Sequence, residues 1–102
     1  MNVTAIEQGG VLFLLLEGEL DEHSAAHLRR IADEKIDEYA AVQKAVFDLS
    51  RVSFMDSTGI GFLIGRYKKL KRYGISSYIS KVNAETDKIL SISGVYSLIP
   101  KL

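Results

Sequence analysis

A serine at the predicted start of a helix, Ser57, is the side chain of this protein best placed for chemistry. It lies in the segment Phe54-Met55-Asp56-Ser57-Thr58-Gly59, where a strand pattern runs into a helical one. Serine at such a position caps free backbone N–H groups for about 1 kcal/mol, which is a structural role. A phosphate on its hydroxyl would lie beside the same N–H groups at the positive end of the helix dipole, an interaction of about 0.3–1 kcal/mol. We therefore predict that Ser57 caps the helix and accepts a phosphate.

Two carboxylates are expected near the hydroxyl of Ser57. In an open α/β sheet, functional sites collect at the carboxyl ends of the parallel strands. Residues 17–21 follow the first predicted parallel strand and residues 50–56 follow the second, so Asp21 is predicted to lie at the same rim as Ser57. Asp56 would repel a phosphate on its neighbour, and the modified loop would become an anionic spot that a partner shaped for the free hydroxyl rejects.

A catalytic role for Ser57 is less favoured than a role as a substrate. A serine nucleophile needs a base, and the only histidines, His23 and His27, lie at the start of another predicted helix without a Gly-x-Ser-x-Gly elbow. A serine hydrolase stays open as a minor alternative. Asp21-Glu22-His23 is contiguous and lacks the spacing of a metal site, so we expect no metal. We expect no cofactor either, because the glycines at 59, 61 and 65 lie inside a helix and not before it.

The pattern of apolar residues predicts an α/β fold with the order β-β-α-β-α-β-α and a short last strand. Strands are predicted at residues 3–7, 11–16, 45–49, 75–80 and 96–102, and helices at 24–39, 58–73 and 84–93. Gly9-Gly10 joins the first two strands as a hairpin, and a crossover helix fits between the second and third strands, which we expect to be parallel. Gly74 and Gly94 end the second and third helices. Gly61 and Gly65 are expected to let the second helix approach a neighbour closely.

Length and composition indicate one globular domain over residues 1–102. The chain is 47% hydrophobic and 25% charged, and it contains no cysteine, which excludes disulfides and thiolate chemistry. Its longest apolar run, at residues 11–16, is far shorter than the ~20 residues of a membrane helix, and no basic leader opens the chain. We expect a cytoplasmic protein without membrane contact.

Opposite charges are unevenly distributed along a chain of zero formal net charge. Asp and Glu outnumber Lys and Arg ten to five up to Arg51, and Lys and Arg outnumber Asp and Glu eight to three after it. We expect the basic run formed by Arg66, Lys68, Lys69, Lys71 and Arg72 to be the solvated face of an amphipathic helix. No aromatic-interleaved basic surface accompanies this run, so direct nucleic-acid binding is not expected.

Three motifs of the chain resemble a known family. They are Gly18-Glu19-Leu20-Asp21, the stretch at residues 49–61 that contains Asp56-Ser57-Thr58-Gly59, and Gly65-Arg66-Tyr67-Lys68. Together they are similar to the STAS domains of bacterial anti-sigma factor antagonists, most of all those of sporulation. The resemblance implies a small mixed β-sheet with an N-terminal hairpin strand, parallel βαβ units and helices packed on it. Such domains usually end in a further helix that this chain lacks after residue 102, and we expect the uncovered apolar surface to favour self-association or a shortened, less stable fold.

The resemblance also implies a function. The unphosphorylated protein would bind a partner that is both the anti-sigma factor and an ATP-dependent serine kinase, and the sigma factor would be released. Phosphorylation of Ser57 would switch this binding off, a serine phosphatase would reverse it, and the chain itself would not be an enzyme. The docking rim carried over by position consists of Asp21, Met55, Asp56, Ser57, Thr58, Gly59 and Gly61. The alternative is a STAS module that binds a small ligand or belongs to a transporter, and the choice between sporulation and stress response stays open.

Overall fold

A computed structural model describes residues 2–102 as one mixed sheet with helices packed on it. The strands are β1 (Asn2–Gln8), β2 (Val11–Leu20), β3 (Lys44–Met55) and β4 (Ser76–Ser80), and the helices are α1 (Ala25–Glu38), α2 (Ser57–Arg72) and α3 (Ala84–Ser93), followed by a 3-10 helix at Val95–Ser97. The sheet order is β1-β2-β3-β4. β1 pairs antiparallel with β2, whereas β2, β3 and β4 run parallel. The predicted hairpin strand and parallel βαβ units are thereby confirmed.

Glycines at the chain reversals explain several of these boundaries. Gly9 and Gly10 have φ angles of 61° and 81°, which is the conformation that a two-residue hairpin turn requires, and Gln8 pairs with Val11 across it. Gly74 and Gly94, at φ 75° and 81°, follow α2 and α3 in the left-handed region and end these helices as predicted.

The parallel strands β2 and β3 are longer than predicted. Residues 17–21 and 50–56 were both expected to be loops, yet β2 continues to Leu20 and β3 to Met55, and the two extensions pair with each other. Register shifts between Leu15 and Glu17 and between Gly18 and Glu19 accompany this pairing. The extensions carry several exposed polar side chains, so they lack the apolar signal of a buried strand. The rim at which the chain leaves the sheet therefore begins directly after Leu20 and Met55.

The core lies between the sheet and the helices. α1 contributes its buried stripe of Leu28, Ala32 and Ile36, which recur at helical spacing, and these residues join one hydrophobic cluster with β-strand residues such as Leu14 and Phe47. None of the helices in the described part of the chain is long and apolar enough to cross a membrane.

The expectation of a solvated basic face on α2 is right for Lys68, Lys71 and Arg72, which are exposed, and wrong for Arg66. Arg66, assigned to the solvated basic face, is 7% exposed, and its Nε lies 2.7 Å from the carboxylate of Asp33 on α1. Its guanidinium also lies 5.2 Å from the ring centroid of Phe62, so this buried cation is accommodated by an ion pair and an aromatic ring.

The expectation that Gly61 and Gly65 let α2 approach a neighbour closely is wrong. A Cβ atom at either position would meet nothing within 4 Å.

The predicted last strand at residues 96–102 is reduced to a single bridge. Ile79 donates its N–H to the carbonyl of Pro100 at 2.9 Å and accepts the N–H of Leu102 at 2.8 Å, so that Lys101 lies opposite Ile79. Pro100 has no N–H to continue the ladder, and the 3-10 helix occupies residues that were expected to be extended. Over residues 95–102 no further α-helix follows α3.

Candidate functional site

The candidate site lies where β2 and β3 end side by side. Leu20 and Met55 form the last pair of the ladder, and the N–H of Asp56 lies 3.4 Å from the carbonyl of Leu20. The chain then turns into α1 after one strand and into α2 after the other. This arrangement brings Asp21 and Ser57 to the same rim.

Asp56, and not Ser57, is the N-cap of α2. Its Oδ1 accepts the N–H groups of Thr58 at 2.9 Å and of Gly59 at 3.3 Å. A carboxylate here satisfies two otherwise free donors and carries the charge that the helix N-terminus favours. Ser57 is instead the first residue of α2, it is exposed, and its side chain makes no hydrogen bond to the rest of residues 2–102. The prediction that Ser57 caps the helix is therefore wrong, and the N–H groups expected to receive a phosphate are largely taken.

Asp21 organises the turn that leads into α1. Its Oδ1 accepts the N–H groups of His23 at 3.0 Å and Ser24 at 3.1 Å, and the hydroxyl of Ser24 donates to the carbonyl of Glu19 at 2.7 Å. Partial burial of this carboxyl works to raise its pKa, but the hydrogen bonds from Ser24 and His23 outweigh it and lower the pKa of Asp21 below its usual value. Asp21 therefore adds a fixed negative charge to the rim.

Met55 and Gly59 lie beneath the rim and not on its surface. Met55 is 1% exposed, and Gly59 is also buried. A Cβ atom at Gly59 would lie 2.5 Å from Cγ of Met55 and 2.8 Å from the carbonyl oxygen of Leu20, distances that a real Cβ does not tolerate. Glycine at 59 is thus what allows the first turn of α2 to rest on the ends of β2 and β3. These two residues support the surface that Ser57 occupies.

Thr58 and Gly61 are the remaining residues of the predicted rim. Thr58 is half-buried, and its N–H is held by Asp56. Gly61 is exposed and lies four residues after Ser57, so the two occupy neighbouring positions on one face of α2. Nothing in the described fold requires a glycine at 61.

Phe54 is a surface residue that the sequence reasoning missed. It is 49% exposed at the end of β3, where it pairs with Glu19 and precedes Ser57 by three residues. An exposed phenylalanine beside a polar rim is typical of a binding surface. The signal available in the sequence was its place next to the buried Met55, since successive side chains of a strand point to opposite faces.

A shallow groove of about 720 Å³ opens beside the rim. Its lining includes Asp21, His23, His27 and Ser53, but not Ser57. Nδ1 of His27 lies 3.2 Å from the guanidinium of Arg30, and neither histidine bonds to Ser57. Over residues 2–102 no group of three or more His, Asp or Glu side chains is arranged to hold a metal ion. The groove therefore offers polar contacts, but neither of its histidines is placed to act as a base for Ser57.

Comparison with protein families matches residues 2–102 to the STAS domain. The chain therefore belongs to the STAS domain family. Its sequence relatives within the family include the anti-sigma F factor antagonist of Paenibacillus polymyxa, 35% identical over 91 residues, which are 89% of this chain and 77% of that protein. The anti-sigma-B factor antagonist of Bacillus subtilis (strain 168) is 27% identical over 99 residues, which are 97% of this chain and 88% of the relative. The predicted class, an anti-sigma factor antagonist with a STAS domain, is thereby confirmed.

Solved structures of SpoIIAA share the fold. The unphosphorylated anti-sigma factor antagonist SpoIIAA has a TM-score of 0.78 and 24% identity, with 99% of this chain and 88% of that chain covered. The phosphorylated form, described as a Bacillus cell fate determinant, has a TM-score of 0.70 at the same identity, with 99% and 91% covered. At this level of identity the likeness establishes the architecture, and the predicted mixed α/β fold is confirmed.

Proposed function

We propose that the unphosphorylated chain binds an anti-sigma factor through the rim around Ser57 and that phosphorylation of Ser57 ends this binding. The observation that carries the proposal is the exposed position of Ser57 as the first residue of α2, next to Asp56 and at the same rim as Asp21. The relatives named above antagonise anti-sigma factors F and B, and SpoIIAA has an unphosphorylated and a phosphorylated form. An exposed serine that follows Asp56 and lies at the same rim as Asp21 suits such a switch.

The electrostatics of the rim supply the mechanism. A phosphoserine carries about −1.5 to −2 charges at neutral pH. Asp56 already occupies the N–H groups of Thr58 and Gly59, so the first turn of α2 has little left to neutralise the new charge. A partner that packs against the free hydroxyl would have to desolvate the phosphate beside two carboxylates. A penalty of about 3 kcal/mol weakens binding roughly a hundredfold, which is enough to switch the complex off.

The docking surface that we propose comprises the exposed and half-buried members of the rim. These are Ser57, Thr58 and Gly61, with Asp21 and Asp56 providing charge, and Phe54 beside the rim completes the surface. Phe54 has the size and exposure of an aromatic anchor, which commonly contributes a large share of binding energy at an interface. Met55 and Gly59 take part indirectly, since they fix the height and position of the α2 start.

In this proposal Ser57 is a substrate and the chain is not itself an enzyme. Its side chain has no hydrogen-bonded base among the described residues, which supports transfer of phosphate by a partner and not by the chain. The partner would be the ATP-dependent anti-sigma factor kinase, and a serine phosphatase would restore the free hydroxyl. Both reactions would take place in the cytoplasm, where the sigma factor that they control would also be found.

Phosphate transfer to defined variants tests the site. The chain is incubated with ATP and an anti-sigma factor kinase of the F or the B type, and its intact mass and phosphopeptides are measured. We expect one phosphate on the wild type and on the control Ser53→Ala, which changes another exposed serine in the groove beside the rim, and none on Ser57→Ala. Ser57→Ala should still bind the anti-sigma factor, whereas Ser57→Asp should not. Phosphate on the Ser57→Ala variant would refute the assignment, and the kinase type that reacts would indicate the pathway.

A further inference from the structure

A second cavity lies at the end of the sheet opposite to Ser57. It has a volume of about 420 Å³ and opens between the end of α2, the start of β4 and the segment that precedes the C-terminal bridge. Its lining includes Tyr67, Lys71, Ser77, Tyr78, Leu98 and Pro100. Lys71 is fourteen residues further along α2 than Ser57, which corresponds to about 21 Å along the helix axis. The cavity is therefore separate from the proposed docking surface.

The edge of β4 leaves Ser77 without partners at this cavity. The N–H and C=O of Ile79 point away from β3, because they bond to Pro100 and Leu102. Backbone groups of a strand alternate between its two edges, so those of Ser77 point the same way, but the C-terminal segment diverges and makes no bond to them. The side chain of Ser77 is also unpaired: the residue is 6% exposed, and its buried hydroxyl has no hydrogen-bond partner within residues 2–102. Buried polar groups of this kind normally have a partner.

The rest of the lining combines a cation with flat apolar surface. Nζ of Lys71 lies 5.9 Å from the ring centroid of Tyr67, so the positive charge stands directly beside an aromatic face. Tyr78 and Pro100 add further flat surface, and Leu98 is 41% exposed. The lining contains no Asp or Glu. An anionic group near Lys71 would therefore not be repelled by any negatively charged side chain of the cavity wall.

We propose that this cavity binds a small anion with an aromatic body. The carboxylate or phosphate of such a ligand pairs with Lys71, its ring packs on Tyr67, Tyr78 and Pro100, and a polar substituent bonds to the backbone groups of Ser77 at the free edge of β4. The volume falls within the range of small-molecule sites, and such sites combine an apolar lining with a few polar groups that fix orientation. Ser57 is not part of the lining, so a ligand in this cavity would leave the phosphate acceptor accessible.

Titration of the 15N-labelled chain with defined probes tests the site. The probes are 4-hydroxyphenylacetate and phenyl phosphate, which distinguish a carboxylate from a phosphate source, and tyrosol serves as the neutral control. We expect saturable shifts of the amides of Lys71, Ser77 and Tyr78 with at least one anion, and weaker binding of tyrosol. Absence of saturable shifts for both anions, or shifts confined to other residues, would overturn the proposal.

Two variants separate a binding role from a structural one. Lys71→Gln should lower the affinity of the chain for the anion about threefold, as expected for a partly exposed ion pair. Lys68→Gln, on the same helix but outside the lining, should leave this affinity unchanged. Ser77→Ala removes an unpaired hydroxyl that is buried away from the cavity, so it should raise the midpoint of thermal unfolding of the free chain and leave the affinity for the probe unchanged. Equal affinities for Lys71→Gln and wild type, or a lower unfolding midpoint for Ser77→Ala, would contradict the assignment.

Discussion

Gly61→Ala is expected to stabilise the chain and to weaken its binding to the anti-sigma factor. Glycine inside a helix is less stable than alanine by about 0.5–1 kcal/mol, because it loses more conformational freedom on folding. A Cβ atom at Gly61 would meet nothing within 4 Å, so the substitution introduces no clash within the chain. The free energy of unfolding should therefore rise by about 0.5–1 kcal/mol.

Binding should respond in the opposite direction because Gly61 neighbours Ser57 on the exposed face of α2. If the partner packs closely on this face, an added methyl group acts like overpacking of a core, which typically costs about 1–3 kcal/mol. That penalty corresponds to a loss of affinity of about 5- to 150-fold. The phosphate acceptor itself is untouched, so the effect would belong to the docking surface alone.

Gly65→Ala is the matched control for this experiment. Gly65 lies on the same helix about one turn further from Ser57, and a Cβ atom there also meets open space. Both variants should show the same gain in urea unfolding, followed by circular dichroism, and only Gly61→Ala should lose affinity in calorimetric titration with the anti-sigma factor. Undiminished affinity of a folded Gly61→Ala variant would remove Gly61 from the docking surface. A loss of stability would contradict the open environment of Gly61.

Three further changes test the geometry beneath the rim and the C-terminal segment. Gly59→Ala should lower the free energy of unfolding by about 1–3 kcal/mol in urea titration, since its Cβ would overlap atoms of Met55 and Leu20. Asp56→Ala should cost about 0.5–2 kcal/mol through loss of the cap, and Asp56→Asn much less; equal losses would contradict the capping role. Hydrogen bonds from Tyr96 and Lys101 lower the pKa of Asp87, so its carboxylate stabilises the fold above about pH 4 and this contribution is lost as the pH falls through the folded pKa. Asp87→Asn should therefore flatten the acid side of the stability profile, measured by thermal unfolding between about pH 5 and 2.5.

Elements with a strong local signal could be predicted from the sequence. The hairpin at Gly9-Gly10 and the ends of α2 and α3 at Gly74 and Gly94 follow from turns that only glycine adopts easily. The third helix has the predicted bounds, 84–93, because Asn83 caps its start through the N–H of Thr86 and the left-handed Gly94 stops it. Local chemistry fixes such boundaries without knowledge of the remaining fold.

Features that depend on partners distant in the chain could not be predicted. The polar ends of β2 and β3 form strands because they pair with each other, and neither has the apolar signal of a strand alone. Arg66 is buried because α1 supplies Asp33 opposite it, which the helical pattern of α2 does not reveal. Asp21 and Ser57 follow strands that end side by side, but whether a neighbouring residue is exposed, like Ser57, or buried, like Met55, depends on how α2 rests on the sheet.

In the proposed switch, phosphate acts on the interface and leaves the fold of the chain unchanged. The start of α2 is held twice, since Asp56 accepts the N–H groups of Thr58 and Gly59, and Gly59 lies against the carbonyl of Leu20. Neither constraint involves the exposed hydroxyl of Ser57. A phosphate there gains little from the first helical turn, so it stays hydrated in the free protein and loses its hydration only when a partner covers it. The penalty of phosphorylation therefore falls on the complex, as a switch between a binding and a non-binding form requires.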